Sequence, residues 1–265
     1  MINNVNPYIS VMIITYNHER YISKAIESVL RQETSHSLEI VVSDDCSTDA
    51  TRQIVWDYYK AHPQIIRYLF RPRNLGFQKN FIETLKSCRG RYVAVLDGDD
   101  YWVPPDKITN QIELLEANPD CILCFGRAME FHEDDRSVTR VVPCLNGQKF
   151  SLNDLLKVDP IPTCTAVFRY DRMLEIPAWV EDMPMVDWVL WVLLAQNGSM
   201  IYLPKILGAY RKHSQGVWTS KSREEQIRSD EIFYHKMKDF LPEEYNATIE
   251  KGLRRLAVAK SKIVA

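Results

Sequence analysis

The sequence predicts an α/β fold: a mostly parallel sheet flanked by helices, with a smaller mixed sheet and a C-terminal helical tail. Three observations carry that expectation. Short apolar runs alternate with amphipathic helical patterns through the first hundred residues. Those runs end in polar or acidic residues, and near residue 120 the alternation gives way to successive runs of strand character.

Taken in order, "SVMIIT" (10–15) is a continuous apolar run with β-branched residues, as suits a parallel strand covered on both faces. In "ERYISKAIESVLRQ" (19–32), Tyr21, Ile22, Ala25, Ile26, Val29 and Leu30 share one helical face. "LEIVVSDD" (38–45) is a second strand. "STDATRQIVWDYY" (47–59) follows it with a Ser/Thr/Asp cap and a stripe of Ile54, Val55, Tyr58 and Tyr59. "IIRYLF" (65–70), "FQKNFIETLKSC" (77–88) and "RYVAVLD" (91–97) give a third strand, a third helix and a fourth strand. Such repetition implies right-handed crossovers, and ligands in these sheets bind beyond the carboxyl ends of the strands. "TYN" (15–17), "SDD" (43–45) and "DGDD" (97–100) should therefore converge on one edge.

Beyond residue 120, "CILCFGRAMEF", "SVTRVVP" and "TCTAVF" read as strands of a mixed region. "MVDWVLWVLLAQNG" (185–198) is a helix apolar nearly all round, hence buried, and "MIYLPKILGAYR" returns as a strand. Two charged helices from residue 220 onward form the tail.

Composition narrows the function classes. The 33 Lys and Arg against 35 Asp and Glu give a net charge of −2, so no overall basic field argues for nucleic acid as the main partner. Only Cys121 and Cys124 show a CxxC spacing. On a strand an offset of three puts them on opposite faces, so buried thiols are favoured over zinc. "MINNVNPYIS" has no charged start or apolar leader core, and no segment offers the roughly 18 apolar residues of a membrane span. The expectation is a cytoplasmic protein.

"VAVLDGDDYW" (93–102) is the most informative stretch, because an apolar strand ends in three carboxylates, Asp97, Asp99 and Asp100. Like charges this close spread into water, raise one another's pKa or hold a cation. A calcium loop of the EF-hand kind fails, since positions 5, 6 and 12 counted from Asp97 are Tyr101, Trp102 and Ile108. A solvated acidic turn is one remaining reading. The other is a divalent cation, Mn2+ or Mg2+, held by one or two carboxylates and completed by substrate phosphates.

"VSVMIITYN", "IVVSDDCSTD", "YVAVLDGDDYW", "DWVLWVLLAQNG" and "YRKH", in this order, resemble the family 2 glycosyltransferases, inverting enzymes with a Rossmann-like GT-A fold and a DxD motif. The resemblance covers roughly residues 8–216 and implies a glycosyltransferase domain over 1–219, followed by the tail at 220–265. Within the domain, the nucleotide half would run to about residue 105 and the acceptor half over 106–219. It further implies that Thr15, Tyr16, Asn17 and Glu19 line the nucleotide pocket, with Asp44 or Asp45 on the base and Lys79 and Asn80 facing the donor. Capping of the following helices by Asn17 and Asp45 is the alternative reading.

By the same resemblance Asp99 binds the metal, with Asp100 as its partner and Asp97 nearer the ribose, although the sequence leaves the order of these two open. His213 reaches metal or diphosphate, and Arg211 and Lys212 are phosphate contacts. Asp187 is the general base, against the simpler reading of a first-turn acid that complements the helix dipole. Glu181 and Asp182 fit an ordinary loop better than an acceptor contact. The donor implied is a nucleotide-diphosphate sugar, UDP-linked before TDP or GDP, and the acceptor is a glycan or lipid-linked glycan of bacterial surface polysaccharide. A pyrophosphorylase would need a glycine-rich phosphate loop, and "TYNHERY" has no glycine. The rival of another class is an inactive nucleotide-binding or scaffold module of the same fold. "KGLRRLAVAKSKIVA" (251–265), basic with Leu253, Leu256 and Val258, suits a peripheral contact with an anionic membrane, a homodimer contact or a helix that closes the domain.

Overall fold

A computed structural model describes residues 6–133, 137–171 and 173–264. The N-terminal "MINNV", part of the stretch read as lacking a leader, and Ala265 lie outside the described residues. The elements run β1 (Ile9–Thr15), α1 (Ile22–Leu30), β2 (Leu38–Asp44), α2 (Thr51–Ala61), β3 (Ile66–Phe70), α3 (Phe77–Ser87) and β4 (Tyr92–Asp97). They continue with β5 (Tyr101–Trp102), α4 (Lys107–Glu116), β6 (Cys121–His132), β7 (Val138–Val142), β8 (Lys149–Phe150), α5 (Leu152–Leu155) and β9 (Val167–Arg169). Last come α6 (Asp187–Ala195), β10 (Ser199–Lys212), α7 (Arg223–Phe240) and α8 (Asn246–Val264).

Among the described residues one ten-stranded sheet contains all of the strands, in the order β3-β2-β1-β4-β9-β6-β10-β5, with β7 on β6 and β8 on β10. The first four are parallel, as the repeated strand–helix pattern demands. β9 pairs antiparallel with both β4 and β6, so the mixed region continues the parallel one. Register sets the site: Thr15 lies opposite Asp44 and Ile14 opposite Asp97, which aligns the ends of β2, β1 and β4. The three polar strand ends do converge on one edge.

Because side chains alternate along a strand, the sheet has two cores. Met12, Ile14, Val41, Val93 and Val95 pack with Phe81 and Leu85 of α3 and with α6, whereas Val11, Ile13, Ile40, Val42, Ala94 and Leu96 pack with α1 and α4. One sequence expectation needs correction. Cys121 and Cys124 share a core cluster, because β6 opposes Cys121 to Ser199 but Leu123 to Met200, so the extra residue Ile122 shifts the alternation. Burial still raises both thiol pKa values, so they stay protonated.

Residues 220–264 share the first core. Trp188 of α6 stacks on Phe233 of α7 at 3.8 Å between ring centroids, and Ile227, Met237, Ile249 and Leu256 are buried with them. The α7–α8 crossing is close enough that a Cβ at Gly252 would stand 2.4 Å from the Tyr234 ring. Of the residues on which a membrane or dimer contact of α8 would rest, Leu256 is buried and Leu253 partly buried in this packing, whereas Val258 stays exposed. Among the described residues no helix is long and apolar enough to cross a membrane.

Lys107, the first residue of α4, is fully buried with its ammonium 4.0 Å from the Trp102 ring and no hydrogen-bond partner among the described residues. Burial lowers its pKa to about 7, with only the Cys164 and Cys124 thiols in opposition. Between that value and the lysine's ordinary one, the unfolded chain binds the proton and the folded chain does not, so stability should rise with pH over this interval. Lys107→Met should flatten that slope and raise unfolding free energy at pH 6 by about 2–4 kcal/mol, measured by urea denaturation across pH.

Candidate active site

The loops after β1 and β2 are laced together. Asn17 adopts a left-handed backbone (φ 54°), which Asn tolerates better than most residues. Its side-chain oxygen accepts the Thr48 N–H at 2.8 Å, and its own N–H donates to Ser47 Oγ at 2.9 Å. Glu19 accepts the Ala50 N–H at 2.9 Å, just before α2, where a carboxylate also complements the helix dipole. Asp44 is fully buried and ion-paired with Arg52 Nε at 3.1 Å. Asp45 accepts the Leu75 and Gly76 N–H groups at 2.7 and 3.0 Å, so it fastens β2 to the turn before α3. Asn17 and Asp45 thus tie neighbouring loops together and do not cap the helices that directly follow them.

Of the residues assigned to the nucleotide, Tyr16 presents a ring to solvent (42% exposed), and the buried Thr15 hydroxyl lacks a partner among the described residues. Lys79 is half-exposed and 3.4 Å from Glu181. Asn80 does not face a donor: it is 2% exposed, and its side-chain oxygen accepts from Ser43 Oγ at 2.6 Å and Arg71 Nε at 3.1 Å.

The turn after β4 gives its three carboxylates three different surroundings. Gly98 N–H donates to Ile14 O at 2.8 Å, which anchors the turn to β1. Asp100 is 2% exposed and points inward, where Oδ1 accepts the Arg211 N–H at 2.8 Å and the buried carboxylate also meets the Cys164 thiol. Asp99 stays at the cleft, with Oδ2 2.9 Å from His213 Nε2 and 3.7 Å from His18 Nε2. Asp97 Oδ1 is buried with no hydrogen-bond partner among the described residues.

The proton affinities diverge accordingly. Burial, then the charges of Asp99 and Asp187, push Asp97 well above the usual carboxylate range. Burial, then Asp99 and Asp97, do the same to Asp100. Burial acts on Asp99 too, but the His213 hydrogen bond and the nearby His18 hold it below the ordinary value.

Asp187 opens α6. Its Oδ2 accepts the Thr163 hydroxyl at 2.7 Å and its Oδ1 accepts the Trp188 N–H at 2.9 Å, which fixes the carboxylate's direction. Thr163, which donates to Asp187, belongs to the segment whose Ala166 O accepts the Val95 N–H of β4 at 3.2 Å, so the α6 terminus lies near the end of β4, and Asp187 raises the proton affinities of both Asp97 and Asp159. Asp159, whose carboxyl is raised by burial and then by Asp187, escaped the sequence reading because "VDPIP" carries no motif. His18 escaped it too, although a histidine in a strand-end loop was a signal. Arg211 and Lys212 are committed elsewhere. Arg211 Nε donates to Asp99 O at 2.8 Å with its guanidinium between the Tyr21 and Phe131 rings, and Lys212 is ion-paired with Glu130.

Asp99 Oδ2 and His213 Nε2, which meet each other at 2.9 Å, offer a carboxylate oxygen and an imidazole nitrogen to a divalent cation. Among the described residues, no group of three or more His, Cys, Asp or Glu is placed to enclose a metal alone. For Mg2+ or Mn2+ substrate phosphates ordinarily complete the shell.

Residues 10–173 match Glycosyl transferase family 2, and the chain belongs to that family. It is 36% identical over 215 residues to an uncharacterised protein of Mycobacterium tuberculosis, a match that covers 80% of this chain and 60% of that protein. The chain therefore spans about 60% of the length of its mycobacterial relatives. It is 29% identical over 224 residues to the putative teichuronic acid biosynthesis glycosyltransferase TuaG of Bacillus subtilis, covering 82% of this chain and 84% of TuaG. The structure of S. aureus TarS 1-349 in complex with UDP-GlcNAc superimposes with a TM-score of 0.70 at 20% identity, over 93% of this chain and 72% of that one. Pyrobaculum calidifontis mannosyltransferase PcManGT, in complex with GDP-Man and Mn2+, does so with a TM-score of 0.64 at 18% identity, over 98% and 76%. Both share the GT-A fold with this chain.

Replacing Asn80 by Ala should cost about 2–3 kcal/mol in chemical denaturation, because it strips a buried acceptor from Ser43 and the Arg71 guanidinium.

Proposed function

We propose that the chain is an inverting glycosyltransferase that moves a sugar from a nucleotide-diphosphate donor, UDP-linked first, to an acceptor hydroxyl. The observation that carries this reading is the placement of Asp187 beside the end of β4, held by Thr163 of the segment that pairs with Val95. The names of relatives support it: TuaG is a putative teichuronic acid biosynthesis glycosyltransferase, and TarS and PcManGT were solved with nucleotide sugars. A growing surface polysaccharide or lipid-linked glycan in the bacterial cytoplasm is the acceptor in this reading.

Asp187 is the base. Its carboxylate takes the proton of the acceptor hydroxyl while that oxygen bonds to the anomeric carbon from the face opposite the leaving group. The bond from that carbon to the β-phosphate oxygen breaks, and its electron pair departs with the nucleoside diphosphate. Thr163 and the Trp188 N–H hold the carboxylate in the direction this transfer needs. The Tyr16 ring packs on the base, and Asp97 accepts from a ribose hydroxyl.

Asp99 and His213 would hold Mn2+ or Mg2+, which when bound neutralises charge on the departing diphosphate. The partnership of Asp99 with Asp100, expected from the sequence, gives way here to Asp99 with His213, because the Asp100 carboxylate is turned into the interior.

In thermal-shift measurements with a panel of sugar nucleotides, Asp187→Asn should keep the donor-induced stabilisation while transfer falls at least about 100-fold. Equal loss of donor binding and transfer would overturn the role given to Asp187. Asp99→Asn should abolish the Mn2+-dependent part of the shift, and an undiminished Mn2+ increment would remove Asp99 from the cation site.

A further inference from the structure

A single turn of 3-10 helix, Thr163–Thr165, lies between the proposed base and the turn after β4. Each of its residues, and the one that follows, holds a different segment of the fold. Thr163 donates its hydroxyl to Asp187 Oδ2 at 2.7 Å, where α6 begins. Cys164 O accepts the indole N–H of Trp102 in β5 at 2.8 Å, and the Cys164 thiol meets the Asp100 carboxylate. The Thr165 hydroxyl accepts the Gly126 N–H of β6 at 3.2 Å, and Ala166 O accepts the Val95 N–H of β4 at 3.2 Å.

The turn is held as one piece. Its own N–H groups close it, from Thr165 to Pro162 O at 2.8 Å and from Ala166 to Thr163 O at 3.1 Å. Gln111 of α4 donates to Thr165 O at 2.9 Å. Cys164 and Thr165 are fully buried, and a Cβ at Gly208 of β10 would stand 2.8 Å from Cys164 Sγ, so the thiol fills room that only a glycine leaves. Thr163 keeps one side partly exposed. Packing alone would be served by apolar residues at both positions. A hydroxyl on Asp187 and a thiol on Asp100, one residue apart, are what packing does not require.

We propose that Thr163 and Cys164 are paired positioning residues: Thr163 aims the base Asp187, Cys164 holds the β4 turn against which the donor lies, and the turn between them fixes the separation of the two. This rests on the proposed function and goes beyond it by joining the base to the donor-binding turn through adjacent residues. In-line attack needs both partners in register, and an error of about 1 Å can cost about 100-fold in rate. Neither residue touches the reacting atoms; each locks a side chain or turn that does. The two grips differ in strength, because a hydroxyl bonded to a carboxylate holds more firmly than a thiol, which is a weak donor.

The test separates the two roles in the full chain. Turnover is followed as nucleotide release from UDP-glucose, UDP-N-acetylglucosamine and GDP-mannose, and donor affinity by thermal shift, with kinetics read well below each melting temperature. Thr163→Val should lower kcat at least about tenfold with the donor KM within about twofold of the parent, and Thr163→Ser should restore kcat. Cys164→Ala should weaken donor binding about fivefold, as loss of one modest hydrogen bond does, and Cys164→Ser should restore it. A merely structural turn would lower melting in both variants and move kcat and donor binding together. That parallel response, or Thr163→Val with the kcat of the parent, would overturn the proposal. If Asp187→Asn abolishes release while Thr163→Val does not lower it, this inference falls and the base stands. If Asp187→Asn releases nucleotide as fast as the parent, or the parent acts on none of the three donors, the proposed function falls and this inference with it.

Discussion

Withdrawal of three carboxylates from water at the end of β4, complete for Asp100 and partial for Asp97 and Asp99, is the constraint on which the rest of the site depends. An ionised Asp withdrawn from water costs several kcal/mol unless it is neutralised, hydrogen-bonded or paired. This fold uses all three remedies within four residues. Asp100 turns inward and is met by the Arg211 N–H. Asp99 is held low by imidazole, and Asp97 has its proton affinity raised by burial and by its acidic neighbours. Asp97 Oδ1 is buried with no hydrogen-bond partner among the described residues. Such an imbalance persists only where the surrounding structure enforces it, and polar imbalance of this kind concentrates at functional sites.

The enforcement comes from the sheet. Gly98 is tied to β1 and Asp100 to the end of β10, so the turn is stretched between the parallel and mixed parts of one continuous sheet. Arg211 adds to the grip through the Asp99 carbonyl, with its guanidinium between the Tyr21 and Phe131 rings. On the other side of the cleft, α6 carries Asp187 and is buried nearly all round, with Trp188 stacked on Phe233 of α7. The C-terminal helices thereby help to fix the direction of the proposed base.

Much of the fold was legible because strands covered on both faces must be continuously apolar and amphipathic helices must repeat near 3.6 residues. β1 and α1 follow those patterns closely, and the polar ends "TYN", "SDD" and "DGDD" lie where parallel register must place them. The Cys121–Cys124 pair shows the limit. Alternation put the thiols on opposite faces, and the extra residue at Ile122 in the β6–β10 ladder put them in one core. Such an irregularity depends on the partner strand, which lies some eighty positions away in the chain.

The site divides in the same way. By itself the sequence determined which residues stand at the strand ends, since local periodicity fixes where a strand stops, and it brought Asp97, Asp99, Asp100 and Asp187 forward as the chemistry-bearing group. Only the tertiary structure decided that Asn80 and Asp45 knit loops together, that Asp100 faces Arg211 and that His18 joins His213 at Asp99. The direction of a side chain at a turn is set by hydrogen bonds and packing from segments remote in sequence. Neighbouring aspartates therefore look alike in the sequence and differ in the fold.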